Sequence, residues 1–391
     1  MHCLINLQHI QMREFPLIVK ITFGLIFIIL FFYSIIVAKH LLMVLTLAIL
    51  FSYLLYPLAA SLEMIRFPRF LANLVAIILL FAVFSGVLFL MYKQVETLLD
   101  DLPLLKRKAL ENIDQLELHI ESMTGLEVKK QHLWLKESVN NLFESGSNFL
   151  KVTFTATTST IVKMFLMPVF IYYMLFYRQK FFIFLLRVIP KDKKTVAAEI
   201  LKRISQMVQR YIGGVFVVVA VLSALNSLGL YLVGLKYPII FGIISAFFNF
   251  IPYFGTWIGA SVPFLFALLT GDTINLAFGV LILFAVIQFT ENNILTPNIT
   301  GGYVDINPLI TILSIIVGGM VWGVAGMFVV LPVMATIKII CEYTPRLHAV
   351  AYLISNQQER KYLVRKRRFN YIFSRLKVRY KNIFGRTTSK H

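Results

Sequence analysis

Apolar residues in this chain come in long unbroken runs. Leu17 to Ala38, Leu41 to Ala60 and Phe70 to Tyr92 each extend for about 20 residues, the length that crosses roughly 30 Å of hydrocarbon as a helix. Lys39 and His40 separate the first two, and Glu63, Arg66 and Arg69, with Pro57 and Pro68, punctuate the turn into the third. The first run is too long for a signal-peptide core and no small-x-small cleavage site follows it, so it is expected to stay attached as a span. After Lys93 the pattern changes. Leu98, Leu102, Leu105 and Ala109, then Ile113, Leu116 and Ile120, recur at helical spacing among charges, which predicts amphipathic helices outside the bilayer core. A fourth span lies within Asn148 to Tyr177, firm from Ile161 onward, and a fifth covers Tyr211 to Leu235.

Beyond Lys236 the apolar runs are interrupted. Ile239 to Phe250 leads into the turn Ile251-Pro252-Tyr253-Phe254-Gly255, and Thr256 to Leu269 follows. Asn275 to Gln288 continues into Glu291, Asn292 and Asn293, and Pro308 to Ile340 is broken by Gly318, Gly319, Gly323 and Gly326. The fold class expected is all-α: a polytopic transmembrane protein with about six full spans, two re-entrant hairpins and an extramembrane amphipathic region. The domains expected are residues 1–92 with three spans, 93–148 as the acidic helical region, 149–341 as a core of broken helices, and 342–391 as a basic tail.

Composition agrees with a membrane protein: of 391 residues, 58% are hydrophobic and only 15% charged, where a soluble domain carries about 25%. The net charge of +19 is unevenly placed, and this supplies the topology. Residues 93–144 hold ten of the 19 acids, 178–210 hold nine basic residues against Asp192 and Glu199, and 342–391 hold 13 against Glu342 and Glu359. The acidic region is therefore expected outside and the two basic segments inside, with both termini cytoplasmic in a bacterial inner membrane. Five spans from an inner N-terminus end outside, so an odd number of further crossings must follow. One solution makes 239–269 a hairpin from outside, 275–292 a span and 308–340 a hairpin from inside. The alternative is that the glycines and prolines permit close packing and every segment crosses fully. The tail interleaves its cations with Tyr362, Phe369, Tyr371, Phe373, Tyr380 and Phe384, a pattern suited to anionic lipid and not to nucleic acid.

Asn249 to Gly255, Glu291-Asn292-Asn293-Ile294-Leu295-Thr296-Pro297 with Gly301, and Asn307-Pro308-Leu309 leading into Gly318, Gly319, Gly323, Gly326 and Pro332 resemble, in order and spacing, the motif series of the autoinducer-2 exporter-like family of bacterial membrane proteins. The resemblance is specific from Arg210 to Pro332. It implies transport of a small polar solute such as the autoinducer-2 signal, with sodium or proton exchange as the alternative, and it makes a homo-oligomer plausible. The chain departs from the usual pattern where Tyr173-Met174-Leu175 runs into Phe176 with no acid, at Asn298, and in its long tail.

Glu291 is the acid placed deepest in the second half, and an intramembrane carboxylate is costly unless paired or solvated. It is either a functional group or a helix-end cap at the interface. Gln288, Asn292, Asn293 and Pro297 flank it, and Asn249 and Pro252 at the first hairpin tip offer an amide and freed carbonyls to a hydroxylated ligand or a cation. Gly255, Gly318, Gly319, Gly323 and Gly326 are hairpin or gating candidates. For the last four close packing is the plainer role, since Gly319 and Gly323 have small-x-x-x-small spacing. Lys163 is expected to snorkel and Asn226 to bond between helices. Cys3 and Cys341 form no framework, the seven histidines are scattered, and metalloprotease, P-loop and nucleophile-elbow motifs are absent. No enzyme, cofactor or metal is expected. A non-transporting scaffold, recruiting partners through its acidic region and basic tail, remains a third reading.

Overall fold

The computed structural model describes residues 16–124, 129–154, 158–252, 254–299 and 304–356. The basic tail beyond 356, Tyr253, Gly301 and the Lys163 side chain lie outside the described residues. What is described is helical and polytopic. Leu17–Val37 (α1) turns at Ala38 into Lys39–Met64 (α2). Arg69–Thr124 (α3) is a single 56-residue helix, about 84 Å long, so the third span and the amphipathic region form one rod. Lys129–Phe154 (α4) returns along it, with Val139 against Ala109 and Ile113, and Lys136 2.7 Å from Asp114.

Thr158–Phe176 (α5) bends by 63° into Arg178–Val188 (α6). Lys194–Val233 (α7) joins much of the basic stretch to the fifth span as one 40-residue helix and ends at Gly234, whose φ of 85° suits a residue without a Cβ. Then come the short pair Pro238–Phe248 (α8) and Gly255–Thr270 (α9), followed by Ile274–Thr290 (α10), a π-helical turn over Glu291–Leu295, and Thr296–Ile299 (α11). Pro308–Trp322 (α12), Val324–Tyr343 (α13) and His348–Ile354 (α14) complete the order. Among the described residues five helices are long and apolar enough to cross a membrane, or six with α5 and α6 taken as one bent span.

The two broken pairs differ. Eleven residues make α8 about 16 Å long, half a bilayer, and the 16 residues of α9 about 24 Å, so neither reaches the ~30 Å of hydrocarbon and the pair has the dimensions of a re-entrant hairpin. Gly242 lies so close to Ser227 of α7, and Gly259 to the Ser245 carbonyl, that a Cβ at either would collide. In the second pair, α13 has 20 residues and the length of a span, and Trp322 at the tip donates its indole N–H to the Ile35 carbonyl (3.4 Å) beside the α1–α2 turn. Its partner α12, at 15 residues, is one of the shorter apolar helices, so this pair joins one span-length helix to a shorter one. Here the close approach is between Gly318 and Gly326, each blocking a Cβ on the other. Gly319 instead meets the Met327 side chain, and Gly323 forms the turn itself with φ 63° and open space around it. Gly318, Gly319 and Gly326 thus pack closely across the pair, whereas Gly323 is open, because the contact runs across a hairpin and not along one helix.

At the other end of α8 and α9, the α3 rod supplies what the free helix ends need. Gln94 accepts from the Ile240 N–H (3.1 Å) at the start of α8, and Asn112 donates to the Leu269 (2.8 Å) and Gly271 (3.1 Å) carbonyls at the end of α9. Tyr237 donates to Asp101, and burial followed by that carboxylate raises the phenol above its usual range, so it keeps its proton. Lys108 pairs with exposed Asp272 and holds that carboxyl below the usual range. Val95, Leu98 and Leu105 pack beneath these bonds against Leu230, Ile240, Phe241 and Val280.

Two outcomes follow from these contacts. Gly326→Ala should lower thermal stability in detergent by about 1–3 kcal/mol, because its Cβ meets backbone that cannot yield, whereas Gly86→Ala, with nothing within 4 Å, should not. Asp272 has a lowered folded pKa, so its bond to Lys108 is retained at neutral pH and is lost as pH falls through that value. Amide exchange over residues 104–111, corrected for intrinsic rates, should rise on acidification in the wild type and lose this response in Asp272→Asn.

Candidate functional site

The tip of the first hairpin meets the π turn. Asn249 caps the C-terminal end of α8, where the Pro-Gly segment stops the helix, and its Nδ2 donates to Glu291 Oε1 at 2.6 Å. Thr256 Oγ1 at the start of α9 donates to Asn249 Oδ1 (3.3 Å), which orients the amide. Glu291 is 7% exposed and forms no ion pair among the described residues. Gln288, one turn earlier, lies within hydrogen-bonding reach of it and also donates to Asn292 Oδ1 (3.0 Å). Glu291 continues the buried stripe of Ala277, Val280 and Phe284 at ordinary helical spacing, while Asn292 faces outward, and the π turn begins at Glu291.

Aromatic side chains hold the tip from the other side. Phe250 lies edge-on to Phe216 of α7 (5.5 Å), to Phe328 of α13 (5.2 Å) and to Phe247 (4.9 Å), and Ile251 is buried in the same core with Tyr211, Ile212 and Ile315. The tip's own backbone is largely self-satisfied, since the Ile251 carbonyl accepts from Gly255 N and the Pro252 carbonyl from Phe254 N.

Of the residues expected from sequence, Asn249, Gln288 and Glu291 come together, with exposed Asn292 joined to them only through Gln288. Asn293 points outward and donates to the Phe289 carbonyl (2.8 Å), Pro297 is exposed, and Pro252 is committed to the turn, so the freed carbonyls expected of it are used locally. Gly255 starts α9, pressed against the Phe248 carbonyl. Asn226 bonds between helices as expected, to the Gly242 carbonyl (3.4 Å). Sequence reading missed Thr256. It also missed a second polar centre, where Lys338 of α13, 7% exposed, donates to Asp305 Oδ2 (2.6 Å) and to the Asp305 carbonyl (2.5 Å) and has Glu342 at 3.7 Å. A lone cation in the run 324–341 was the signal for it.

A buried carboxylate beside two amides and a hydroxyl can accept hydrogen bonds from a polyol, coordinate a small cation, or carry a proton. Among the described residues no three His, Cys, Asp or Glu side chains cluster as metal ligands. A cavity of about 210 Å³ lies elsewhere, at the hairpin mouth, between Leu104, Lys108, Glu111, Lys236 and Thr270.

Broken helices meeting around a buried polar centre in a largely apolar bundle fit a membrane-transport class of fold. The chain belongs to the AI-2E family of transporters, whose model matches residues 25–346. It is 29% identical over 315 residues to YrrI of Bacillus subtilis strain 168, a protein provisionally named for transport, covering 78% of this chain and 86% of that one. YueF of the same organism, also provisionally a transport protein, is 26% identical over 204 residues, 52% of this chain and 55% of its own. PerM of Escherichia coli K12, provisionally a permease, is 25% identical over 209 residues, 53% and 59%.

Asn249→Leu removes the donor to a buried carboxylate and should cost about 1.5–3 kcal/mol, a hydrogen bond to a charged group. Glu291→Gln should cost less in that background than alone, so the double-mutant cycle by thermal melting should give a coupling well above zero.

Proposed function

We propose that this protein is a secondary transporter of the bacterial inner membrane that moves a small polar, hydroxylated solute outward, with an autoinducer-2-like signal as the first candidate. The observation that carries the reading is the Asn249–Glu291 bond, which ties the tip of a half-membrane hairpin to an irregular turn in a neighbouring span. A solute hydroxyl that takes over the Glu291 oxygens releases Asn249, and with it the tip. Return of the empty hairpin remakes the bond. The solute's own gradient or a coupled ion supplies the energy, and the protein acts as a carrier without a cofactor or covalent chemistry. The charge asymmetry supports cytoplasmic termini and an external α3–α4 arm. The basic tail serves anionic lipid, and copies of the chain assemble as a homo-oligomer.

One observation favours a second reading, a sodium/proton antiporter: Glu291 is buried and meets no cation among the described residues, which suits a group that alternates between proton and sodium. Flux in proteoliposomes separates the two. Signal flux that persists without an ion gradient and falls at least tenfold in Asn249→Leu supports the exporter. Proton-coupled sodium flux abolished by Glu291→Gln supports the antiporter. Silence for both, in protein that melts cooperatively, would overturn both and leave the scaffold.

A further inference from the structure

A second polar corner, unrelated to the hairpin, lies where the end of α2, the start of α3 and the α5–α6 bend converge. Glu63 accepts from Arg178 Nη2 (2.5 Å) and faces Arg69 Nε at 3.9 Å, too far for a hydrogen bond. Arg69 Nη1 donates to Gln179 Oε1 (3.2 Å), and the Arg178 guanidinium lies over the Tyr56 ring at 4.8 Å. One turn along α3 from Arg69, Asn73 is fully buried, and neither its Nδ2 nor its Oδ1 has a partner. Glu63 Oε1, Arg69 Nε and Nη2, and Arg178 Nη1 are likewise buried and unpartnered. A buried donor without an acceptor costs about 1–3 kcal/mol, more for a charged group, so their concentration in one corner marks a place built for a hydrogen-bonding guest. Two guanidiniums against one carboxylate make the guest an anion.

The surroundings say which anion. Beyond the 63° bend, α6 exposes Phe181, Phe182, Phe184 and Leu185 while carrying Lys180 and Arg187. A short helix of that composition, turned out of line with its span, is suited to the membrane interface, the level of lipid phosphates. Guanidinium forks match phosphate oxygens bidentately, and stacking on an aromatic ring holds one fork in place.

We propose that Arg69 and Arg178, with Asn73, form a binding site for the phosphate of an anionic phospholipid, and that Glu63 occupies the arginines until the headgroup displaces it. The site stands at the α5–α6 bend, since Arg178 begins α6. It is independent of the transport reading.

The test uses the purified full-length protein in mild detergent, with phosphatidylglycerol, phosphatidylcholine and inorganic phosphate as probes in native mass spectrometry and thermal melting. Expected is retention of phosphatidylglycerol over phosphatidylcholine, weakened about tenfold or more in Arg69→Gln/Arg178→Gln and unchanged in Arg187→Gln, a charge lost from the same helix outside the corner. Glu63→Gln should bind phosphatidylglycerol more tightly, which a purely structural ion-pair network would not produce, and this variant decides the matter if the double variant fails to fold. Equal phosphatidylglycerol binding by wild type and the double variant, or loss of binding in Glu63→Gln, would overturn the site. Displacement of the lipid by inorganic phosphate at equal concentration would overturn the lipid as its source.

Discussion

Hydrocarbon offers no hydrogen bonds, so every helix end brought into a bilayer must find its partners within the protein. In this fold that constraint falls hardest on α8 and α9, which begin, turn and finish within a single hairpin. Their outer ends are closed by α3, whose Gln94, Asp101 and Lys108 stand at seven-residue intervals and so form one polar stripe down a helical face, beside the apolar stripe of Val95, Leu98 and Leu105. Their inner end is closed by the hairpin's own turn and by the amide of Asn249 on Glu291. The acidic arm and the buried polar centre, more than a hundred residues apart in sequence, therefore act on the two ends of the same short element. The arm's length follows from this: a third span ending at Tyr92 could not have reached Gly271.

What the sequence made legible was the chemistry of individual positions. Gly, Pro and Asn at 249–255 mark a break in an apolar run, and Glu291 stands out because carboxylates are rare there. What it left hidden were relations between positions. The pairing of Asn249 with Glu291 spans 42 residues and has no local signature. The π turn changes the register of an apolar helix by one residue, and in a helix apolar on nearly every face such a slip leaves no trace in the pattern. Composition also misled where it changed faster than conformation did. At Lys93 and near Arg210 the residues change from apolar to charged while the helix continues, because a rod leaving the membrane needs new side chains but no new backbone. Lys338 was overlooked for a related reason: its partner Asp305 lies on another segment, and an isolated cation near a helix end reads as an interfacial one.

The contrast between the two broken pairs bears on which of them can move. Gly318 and Gly326 press backbone against backbone, and Trp322 ties that tip to α1, so sliding α13 along α12 would lose many dispersion contacts at once. The α8–α9 tip is held differently. Beyond the turn, its partners are a side-chain amide, a hydroxyl and three aromatic edges. The polar ones can be exchanged singly, since a carboxylate can take another donor.

That difference decides how a solute could be coupled to the protein. A guest shifts a conformational equilibrium only by its differential affinity for the two states, so it must compete for something one state uses and the other does not. In the described structure the Glu291 oxygens are the one buried acidic acceptor bound by the hairpin tip. On the proposed reading, competition there would convert binding into release of Asn249, whereas the buried Lys338–Asp305 pair of α13 ties that helix to residue 305 and not to a hairpin tip. The ends of α8 and α9 away from the tip, clamped by four side chains of α3, would then be the fixed end of such a hinge. Coupling on the proposed reading would thus need one fixed end and one exchangeable end on the same short element, and α8–α9 offers both.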